Sequence, residues 1–490
     1  MPSWRAIVPS MSNDLPMSRN TIPAGDGPPC EGSDVSLVAG PTAGSLTQGS
    51  LHRVLFLLAG PAVVAKVLHA LLGLVDIFWV GRLGAAPTAA VNTSFFASWI
   101  LDASTHLTAV GIMVYVSRAI GSGDRRRAGI AAAHGLQLGV VLGAGIAVLA
   151  WFAVPLLFQA LNTADAVSRP GIIYLRTLYL AAPLTFLYVN SESIMRASGN
   201  TRRPLMITGA MVLLNLVLDP LLIFGIGPFP RLEVFGAALA TVIAQLVAVM
   251  IFALHAIRGH ADFPLQRHAF GRLQSRMCLE FVRLGAPALS IGVLFSSVYL
   301  FLSGVAARLG IVELAVLGLG NRAETLTYLG TSGFAEATGA VVGQNIGAGK
   351  IDRATKAAWY SALWMFCFGG FLGALMMLFP RQVLLVFTDD PEVLQVGAQY
   401  IRILGISQGL MAVEIVLERA FAGAGDTLPP MLISVPINLL RIPLVWWMVH
   451  SLGGGIIAIG VMLAATSALR GIVSMLWFSI GRWKHHALRA

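Results

Sequence analysis

Two polar residues that could bind a proton or a cation stand inside a strongly apolar stretch of the chain. The stretch LLNLVLDPLLIF carries Asn215 and Asp219 one helical turn apart, with Pro220 directly after the acid. Residues four apart project from the same face of a helix, so the amide and the carboxyl can serve one site. A carboxyl among hydrocarbon is stable when it is protonated, or when a cation held by several oxygens neutralises it.

Two further acids occupy similar settings. Asp76 lies in VDIFWVGRLG, on the same helix face as His69 seven residues earlier, and Glu192 lies in SESIMR. Ionisable residues are costly inside a membrane and therefore usually serve a function. We predict that Asp76, Asn215 and Asp219 form an oxygen-lined pocket for H⁺, or alternatively for Na⁺. Glu192 is predicted to be a further ion-coupling carboxyl.

Other charged residues in apolar stretches allow two interpretations each. Glu324 could bind a substrate or a second ion, or form a local salt bridge with Arg322. Asp102 could also bind a substrate or a second ion, or it could form an intrahelical pair with His106 one turn away. Lys66 is expected to face a carboxylate.

Glu414 and Glu418 are one turn apart and could attract cations or hold a second ion. Glu418 could instead pair with the adjacent Arg419. Pro61 and Pro220 interrupt apolar segments, and since proline removes a backbone donor, we predict a kink at each.

The composition indicates that these residues lie in membrane-spanning helices. Of 490 residues, 56% are hydrophobic and 11% are charged, and the mean hydropathy is +0.77. The net charge of +10 could indicate nucleic acid binding, but its distribution suits membrane topology better, and we expect no nucleic acid partner. The three cysteines have no metal-site or disulfide spacing. No Walker A loop or H-E-x-x-H motif occurs, so we predict a non-enzyme without a cofactor.

Apolar periodicity predicts about twelve spans. They lie near 54–80, 88–117, 128–152, 171–195, 204–225, 234–257, 279–304, 313–342, 354–379, 393–418, 429–450 and 454–480. Connections after even-numbered spans, with the C-terminal tail, hold 18 Lys and Arg, whereas those after odd-numbered spans hold five. The positive-inside rule therefore predicts that both termini face the cytoplasm across the cell membrane.

The chain also contains one long internal repeat. The motifs at Pro61, Arg82, Ile120, Tyr174, Glu192 and Gly199 recur 226 residues later, at Pro287, Arg308, Ile346, Tyr400, Glu418 and Gly425. The offset then becomes 223, as Asn215 and Asn438 show. Since six spans separate the copies, the two halves share one orientation and are related by an axis along the membrane normal.

These observations predict an all-α integral membrane protein with two six-helix lobes. We expect a disordered cytoplasmic tail at 1–50, without a signal peptide, an N-terminal lobe at 51–257 and an inter-lobe linker at 258–277. A C-terminal lobe at 278–480 and a cytoplasmic tail at 481–490 follow. Such halves enclose a central cavity, which favours a transporter that alternates between two openings.

Several motifs resemble those of the multidrug and toxic compound extrusion family. They are VDIFWVGRLG, IMRASGNTRRPLMIT, LLNLVLDPLLIFG, VVGQNIGAGKIDRA, ERAFAGAGDTLPPMLIS and INLLRIPLVWW, from about residue 51 to 480. The resemblance implies a twelve-helix antiporter that expels amphipathic, often cationic compounds against a proton or sodium gradient. Asp76, Asn215 and Asp219 match cation-site residues of the archaeal and DNA-damage-inducible-protein-F-like branch. Glu192 departs from that pattern, in which an Asn precedes the Arg by four residues.

The resemblance also bears on the coupling ion. The Glu that marks the sodium-coupled branch in the seventh span is missing from IGVLFSSVYL, which favours protons. We therefore predict a monomeric multidrug efflux antiporter in the lipid bilayer. The alternatives are a flippase for lipid-linked precursors, an exporter of organic anions or metabolites, and a membrane receptor that transports nothing.

Overall fold

The computed structural model describes residues 45–161, 163–259, 265, 270–271 and 273–484. Residues 1–44 of the predicted tail lie outside the described residues. Much of the predicted linker and residues 485–490 also lie outside them.

Within the described residues, every regular element is helical. A short 3₁₀ turn at Ser45–Thr47 precedes fourteen α-helices. They are α1 Leu51–Gly81, α2 Ala85–Gly121, α3 Arg125–Ala160, α4 Asp165–Leu180, α5 Ala182–Ala197, α6 Arg202–Phe224, α7 Glu233–Ile257, α8 Ser275–Leu309, α9 Ile311–Gly347, α10 Ile351–Leu378, α11 Pro380–Leu385, α12 Pro391–Gly423, α13 Leu428–Leu452 and α14 Gly455–Ile480.

Ten of the helices within the described part of the chain are long and apolar enough to cross a membrane. The pair α4 and α5 passes the same test when taken together, although the two are bent by 51°. Helix α9 is not among them and carries the charged residues Arg322, Glu324 and Glu336. Many large apolar side chains are exposed, including Leu149 and Phe152, which suits helices surrounded by lipid.

The fourth predicted span, 171–195, is not one straight helix. Helix α4 ends at Leu180, and α5 begins at Ala182 with Pro183 in its first turn. Proline lacks an N–H and its ring clashes with the carbonyl four residues earlier, so the helix breaks just before it. By contrast, Pro61 and Pro220 lie inside α1 and α6, which continue through them.

The helix boundaries repeat at the spacing of the sequence motifs. Helices α2, α3, α4 and α6 begin at 85, 125, 165 and 202, and α9, α10, α12 and α13 begin 226 residues later, at 311, 351, 391 and 428. The counterpart of the bent pair α4 and α5 is the single helix α12. Below, the first half means residues 51–257 and the second half means residues 275–480.

The two halves meet through α1, α2, α8 and α9, since α1 packs against α9 and α2 packs against both α8 and α9. The C-terminal ends of α2 and α9 approach most closely. A side chain at Gly121 would collide with the backbone of Gln344, and one at Gly347 would collide with the backbone of Arg118. Only glycine allows two helix backbones to lie so close at these points.

Candidate functional site

Helices α1 and α6 bring together the three residues predicted to form an ion pocket. Asp76 is 4% exposed, and Asn215 and Asp219 are fully buried. The Asn215 amide donates a hydrogen bond to Asp219 Oδ1 at 3.0 Å. The Asp76 and Asp219 carboxyls are also within hydrogen-bonding distance of each other. The three side chains thus lie together in one buried site.

Two hydroxyl groups complete the pocket. Tyr174 of α4 donates to Asp76 Oδ2 at 3.3 Å, and Thr241 of α7 donates to the same atom at 3.4 Å. Sequence reasoning missed both as site residues. Tyr174 stands in a repeated motif, but nothing marked its hydroxyl, and Thr241 lies in an apolar run without a distinguishing pattern.

Three buried oxygens in this pocket accept no hydrogen bond. They are Asp76 Oδ1, Asp219 Oδ2 and Asn215 Oδ1. A buried acceptor without a donor is costly, so native proteins usually satisfy such atoms. Carboxylate, amide and hydroxyl oxygens suit a hard cation, and two touching carboxyls can share a proton. This oxygen set therefore fits a proton or Na⁺.

Glu192 does not lie in that pocket. Its Oε2 forms an ion pair with Arg196 Nη2 at 2.8 Å, and its Oε1 accepts hydrogen bonds from Thr208 at 3.0 Å and Tyr188 at 3.3 Å. Arg196 follows four residues after Glu192 on α5, which places the two side chains on one face. The carboxyl is therefore neutralised by a neighbouring arginine rather than shared with Asp76.

This ion pair belongs to a cluster of four charges, which we call the charge quartet: Lys66, Glu192, Arg196 and Glu336. Glu336 of α9 forms ion pairs with Arg196 and with Lys66 of α1, the latter at 2.7 Å. The carboxylate expected opposite Lys66 is thus Glu336. Two positive and two negative charges connect the first half to the second.

The second half buries its acids differently. Both oxygens of Glu324 accept hydrogen bonds, one from Tyr299 at 3.3 Å and one from Gln408 at 3.1 Å. The alternative salt bridge with Arg322 does not form, because residues two apart lie on different sides of a helix and Arg322 is exposed.

Glu414 is held by a buried cation. It forms an ion pair with Arg470 of α14 at 3.2 Å and accepts a hydrogen bond from Ser434 at 3.1 Å. Glu418 is half-buried and lines a small cavity together with Arg419. The Arg419 guanidinium, however, donates to His106 Nε2 at 3.3 Å.

Asp102 is exposed in the middle of α2 and does not pair with His106, whose Nε2 contacts Arg419 instead. Its charge acts on His69 of α1 and on Tyr328 of α9. His69 is exposed, and Tyr328 is 48% exposed. Asp102, His69 and Tyr328 thus lie near enough to interact electrostatically, on the three helices α2, α1 and α9.

Comparison with protein families gives two matches along the chain. A model of the MatE family matches residues 61–221 and 287–447. Together these matches cover more than half of the chain, and they are offset by 226 residues, the spacing of the sequence motifs.

Curated proteins of similar sequence include two that align over most of their length. A protein named FAD transporter, from Shewanella oneidensis, is 30% identical over 87% of this chain and 94% of its own length. A probable multidrug resistance protein NorM from Thermotoga maritima is 25% identical over 89% of this chain and 94% of its own length.

Solved structures show the same fold. A multidrug resistance MATE family transporter of the MOP superfamily, in an outward-facing conformation, has a TM-score of 0.84 at 24% identity. The alignment covers 91% of this chain and 99% of that one. A MOP superfamily transporter from Pyrococcus furiosus, described as having a binding pocket of reverse polarity, gives the same TM-score, identity and coverage.

Proposed function

This chain belongs to the MatE family of multi-span membrane transporters, and from that premise we propose that it is a proton-coupled antiporter. In this proposal it exports amphipathic, mostly cationic compounds from the cell by alternating access. Its relatives include proteins named as multidrug transporters, such as a multidrug export protein MepA from Staphylococcus saprophyticus.

The observation that carries the proposal is the set of three unpartnered oxygens on Asp76, Asn215 and Asp219. The touching carboxyls can hold one proton between them, while the Asn215 amide binds Asp219 on its other oxygen. The alternative coupling ion is Na⁺, which the same oxygens could hold. We propose that these three residues bind the coupling cation in the way that the resemblance to the archaeal and DNA-damage-inducible-protein-F-like branch implies.

Loading and unloading this pocket would bias which way the halves open. Two carboxyls that share one proton carry a single negative charge, and loss of that proton leaves two buried negative charges beside each other without a counterion. A ligand that favours one of two conformations shifts their populations in this way. One pH unit supplies about 1.4 kcal/mol per proton, and about 100 mV adds about 2.3 kcal/mol per charge. Together they support a gradient of roughly a hundredfold or more for an uncharged solute, whereas one-for-one exchange with a monovalent cation moves no net charge and keeps only the pH contribution, about tenfold.

The proposed route for the solute lies between the halves, beside Asp102. An exposed acid halfway along a membrane helix lies in a polar cleft more readily than in lipid. His69 and Tyr328 lie on the facing helices. A negative charge in such a cleft attracts amphipathic cations. Glu414 and Glu418 lie on α12 of the second half. An ion pair with Arg470 already neutralises Glu414, so this acid attracts cations less than Asp102 does.

We propose twelve spans, counting the bent pair α4 and α5 as one span and α9 as another. These spans would form two six-helix lobes, 51–257 and 278–480, related by a pseudo-two-fold axis along the membrane normal. Both termini would face the cytoplasm, and the linker 258–277 would lie on the same side. The close contact between the C-terminal ends of α2 and α9 would then close the cytoplasmic side.

A second candidate substrate class is organic anions. The relative at 30% identity is named a FAD transporter, and FAD carries phosphates. The second half also buries two arginines, Arg441 at 1% and Arg470 at 7% exposure. Export of a nucleotide-containing cofactor, with no export of cationic dyes, would favour this candidate.

The test uses the purified protein in proteoliposomes loaded with ethidium. A proton gradient, with sodium absent, should drive dye movement, and a sodium gradient at equal pH should not. Asp76→Asn and Asp219→Asn should each abolish the response at unchanged protein levels. Transport that persists in both variants would remove the proposed coupling site. Transport driven by sodium alone would overturn the choice of ion but not the site.

A further inference from the structure

An open groove lies where the N-terminal ends of α1 and α10 meet, far from the ion pocket. Its volume is about 480 Å³. The groove is lined by Leu51, His52, Asp352, Arg353, Lys356 and Tyr360. Since α1 and α10 are both membrane-crossing helices that begin here, the groove lies at the level of the lipid headgroups.

The groove collects positive potential from several sources. Neither α1 nor α10 has a side chain that caps its N-terminus, so N–H groups of both first turns stay available. Arg353 and Lys356 lie in the first two turns of α10, where the helix dipole disfavours cations unless an anion is near. Asp352 offsets only one of the two charges.

One cation of the groove is partly unsatisfied. Arg353 Nη2 donates to the Gln48 carbonyl at 2.8 Å, which fixes the guanidinium beside the chain that enters α1. Its Nε is buried and has no hydrogen-bond partner. Hydrogen bonds from a guanidinium to phosphate oxygens are strong, and since Nη2 is held by Gln48 and Nε is buried, Nη1 is the nitrogen of Arg353 left to bind a phosphate in the groove.

Aromatic side chains supply another donor. The His52 ring stacks on Tyr360 with centroids 4.5 Å apart, and Trp364 donates its indole N–H to His52 Nδ1 at 3.2 Å. Because Nδ1 accepts that hydrogen bond, the proton of the neutral imidazole is on Nε2. His52 therefore keeps an N–H donor at the groove.

One helical turn farther along, the surface becomes apolar. Phe56 follows His52 by four residues and is 46% exposed, and Trp364 follows Tyr360 by four and is 42% exposed. The two rings meet edge to face, with centroids 5.2 Å apart. A polar, basic end thus continues into an apolar strip on the lipid-exposed side of α1 and α10.

We propose that this groove binds an anionic phospholipid, with its phosphate at Arg353, Lys356 and His52 and an acyl chain along Phe56 and Trp364. A basic site that is followed directly by an apolar strip fits the charged headgroup and the acyl chain of a lipid better than it fits a soluble anion. Because α1 belongs to the first half and α10 to the second, the bound lipid would hold the two halves together at this end. This inference does not depend on which solute the protein exports.

The test is native mass spectrometry of the full-length protein in detergent, with phosphatidylglycerol or phosphatidylcholine added at equal concentration. Wild-type protein should retain one phosphatidylglycerol at collision energies that strip phosphatidylcholine. The double variant Arg353→Gln with Lys356→Gln should lower that occupancy by at least tenfold. The matched control, Arg125→Gln with Arg126→Gln, removes two exposed charges from the start of α3 and should keep wild-type occupancy.

Three results would overturn the proposal. Equal loss in the control pair would show attraction to charge in general, and equal retention of phosphatidylcholine would show no headgroup preference. Displacement of the lipid by millimolar inorganic phosphate would show a site for soluble anions. If the double variant misfolds, the occupancy measured for Lys356→Gln alone tests the proposal. The Lys356 side chain is exposed, and its replacement leaves the contact between Arg353 and the Gln48 carbonyl in place.

Discussion

The acids of the ion pocket in the first half and the buried acids Glu324 and Glu414 of the second half are buried in opposite ways. In the first half, Asp76 and Asp219 touch each other and leave oxygens without donors. In the second half, Glu414 has an arginine partner, and both oxygens of Glu324 accept hydrogen bonds. Burial is similar in the two halves, so it does not distinguish them. We infer that unsatisfied acids bind the coupling ion, whereas satisfied acids stabilise the fold.

The largest effect that this comparison predicts is the loss of coupling in Asp219→Asn. The amide keeps the size of the side chain but cannot exchange a proton, so gradient-driven ethidium transport should fall to the level of protein-free vesicles. The melting temperature in detergent should not decrease, because an amide oxygen can still accept the hydrogen bond from Asn215 and the variant removes only an ionisable group with one unpartnered oxygen. A drop in melting temperature with transport intact would reverse the assignment of the two halves.

Removing the cation from the second half should mainly reduce stability. Arg470→Gln would leave Glu414 buried without its ion pair, and breaking such a pair costs about 3–5 kcal/mol. Thermal unfolding followed by tryptophan fluorescence should show a clear decrease in the melting temperature. Adding Glu414→Gln should recover much of the loss, since the double variant contains no isolated charge. A single variant as stable as wild type would contradict a bracing role.

A smaller effect is expected at Asp102, in the proposed cleft. Asp102→Asn should raise KM for cationic dyes roughly fivefold, since the loss of one charge at a distance of several ångströms costs about 1 kcal/mol in a partly polar environment. Transport of a neutral amphipathic dye should not change. The matched control is Asp165→Asn, at a highly exposed position near the start of α4. An equal rise in KM for both dyes would indicate a packing effect.

The smallest expected difference concerns a repeated tyrosine. Tyr174→Phe removes a hydrogen bond of 3.3 Å to Asp76. Hydrogen bonds to charged groups contribute about 1.5 kcal/mol or more. Because this one is long, its loss should lower the transport rate only a few-fold. Its counterpart in the repeat, Tyr400, is buried in an apolar cluster of the second half. Tyr400→Phe should therefore leave the rate unchanged. Equal effects would show that neither hydroxyl acts through the ion pocket.

The sequence predicted the pocket of Asp76, Asn215 and Asp219 because each residue carried its own signal. A polar residue in an apolar stretch can be recognised from the local sequence without knowing which residue it contacts. The four-residue spacing of Asn215 and Asp219 places both on one face of a helix. The helix positions were predictable for the same reason, since apolar runs and repeated motifs are local patterns. The bend between α4 and α5 and the short helix α11 were missed there.

The sequence could not assign partners that come from distant helices. Glu192 looked like a member of the ion pocket, but its surroundings depend on Arg196 and on Glu336, which is contributed by the other half. A pair of His106 with Asp102 along its own helix was one of two alternatives, yet His106 contacts Arg419, more than three hundred residues away. Such contacts depend on how helices rotate and pack, and no local spacing specifies that.

The charge quartet explains why Arg196 has two acids beside it. If α9 moves away from the first half, Glu336 leaves with it, and a lone guanidinium would face a dry interface. Glu192 is on the same helix as Arg196 and travels with it. In the proposed alternating-access cycle, Glu192 would therefore keep Arg196 neutralised after Glu336 has moved away. Separation of the halves would then leave Lys66 on one side and Glu336 on the other without their ion pairs.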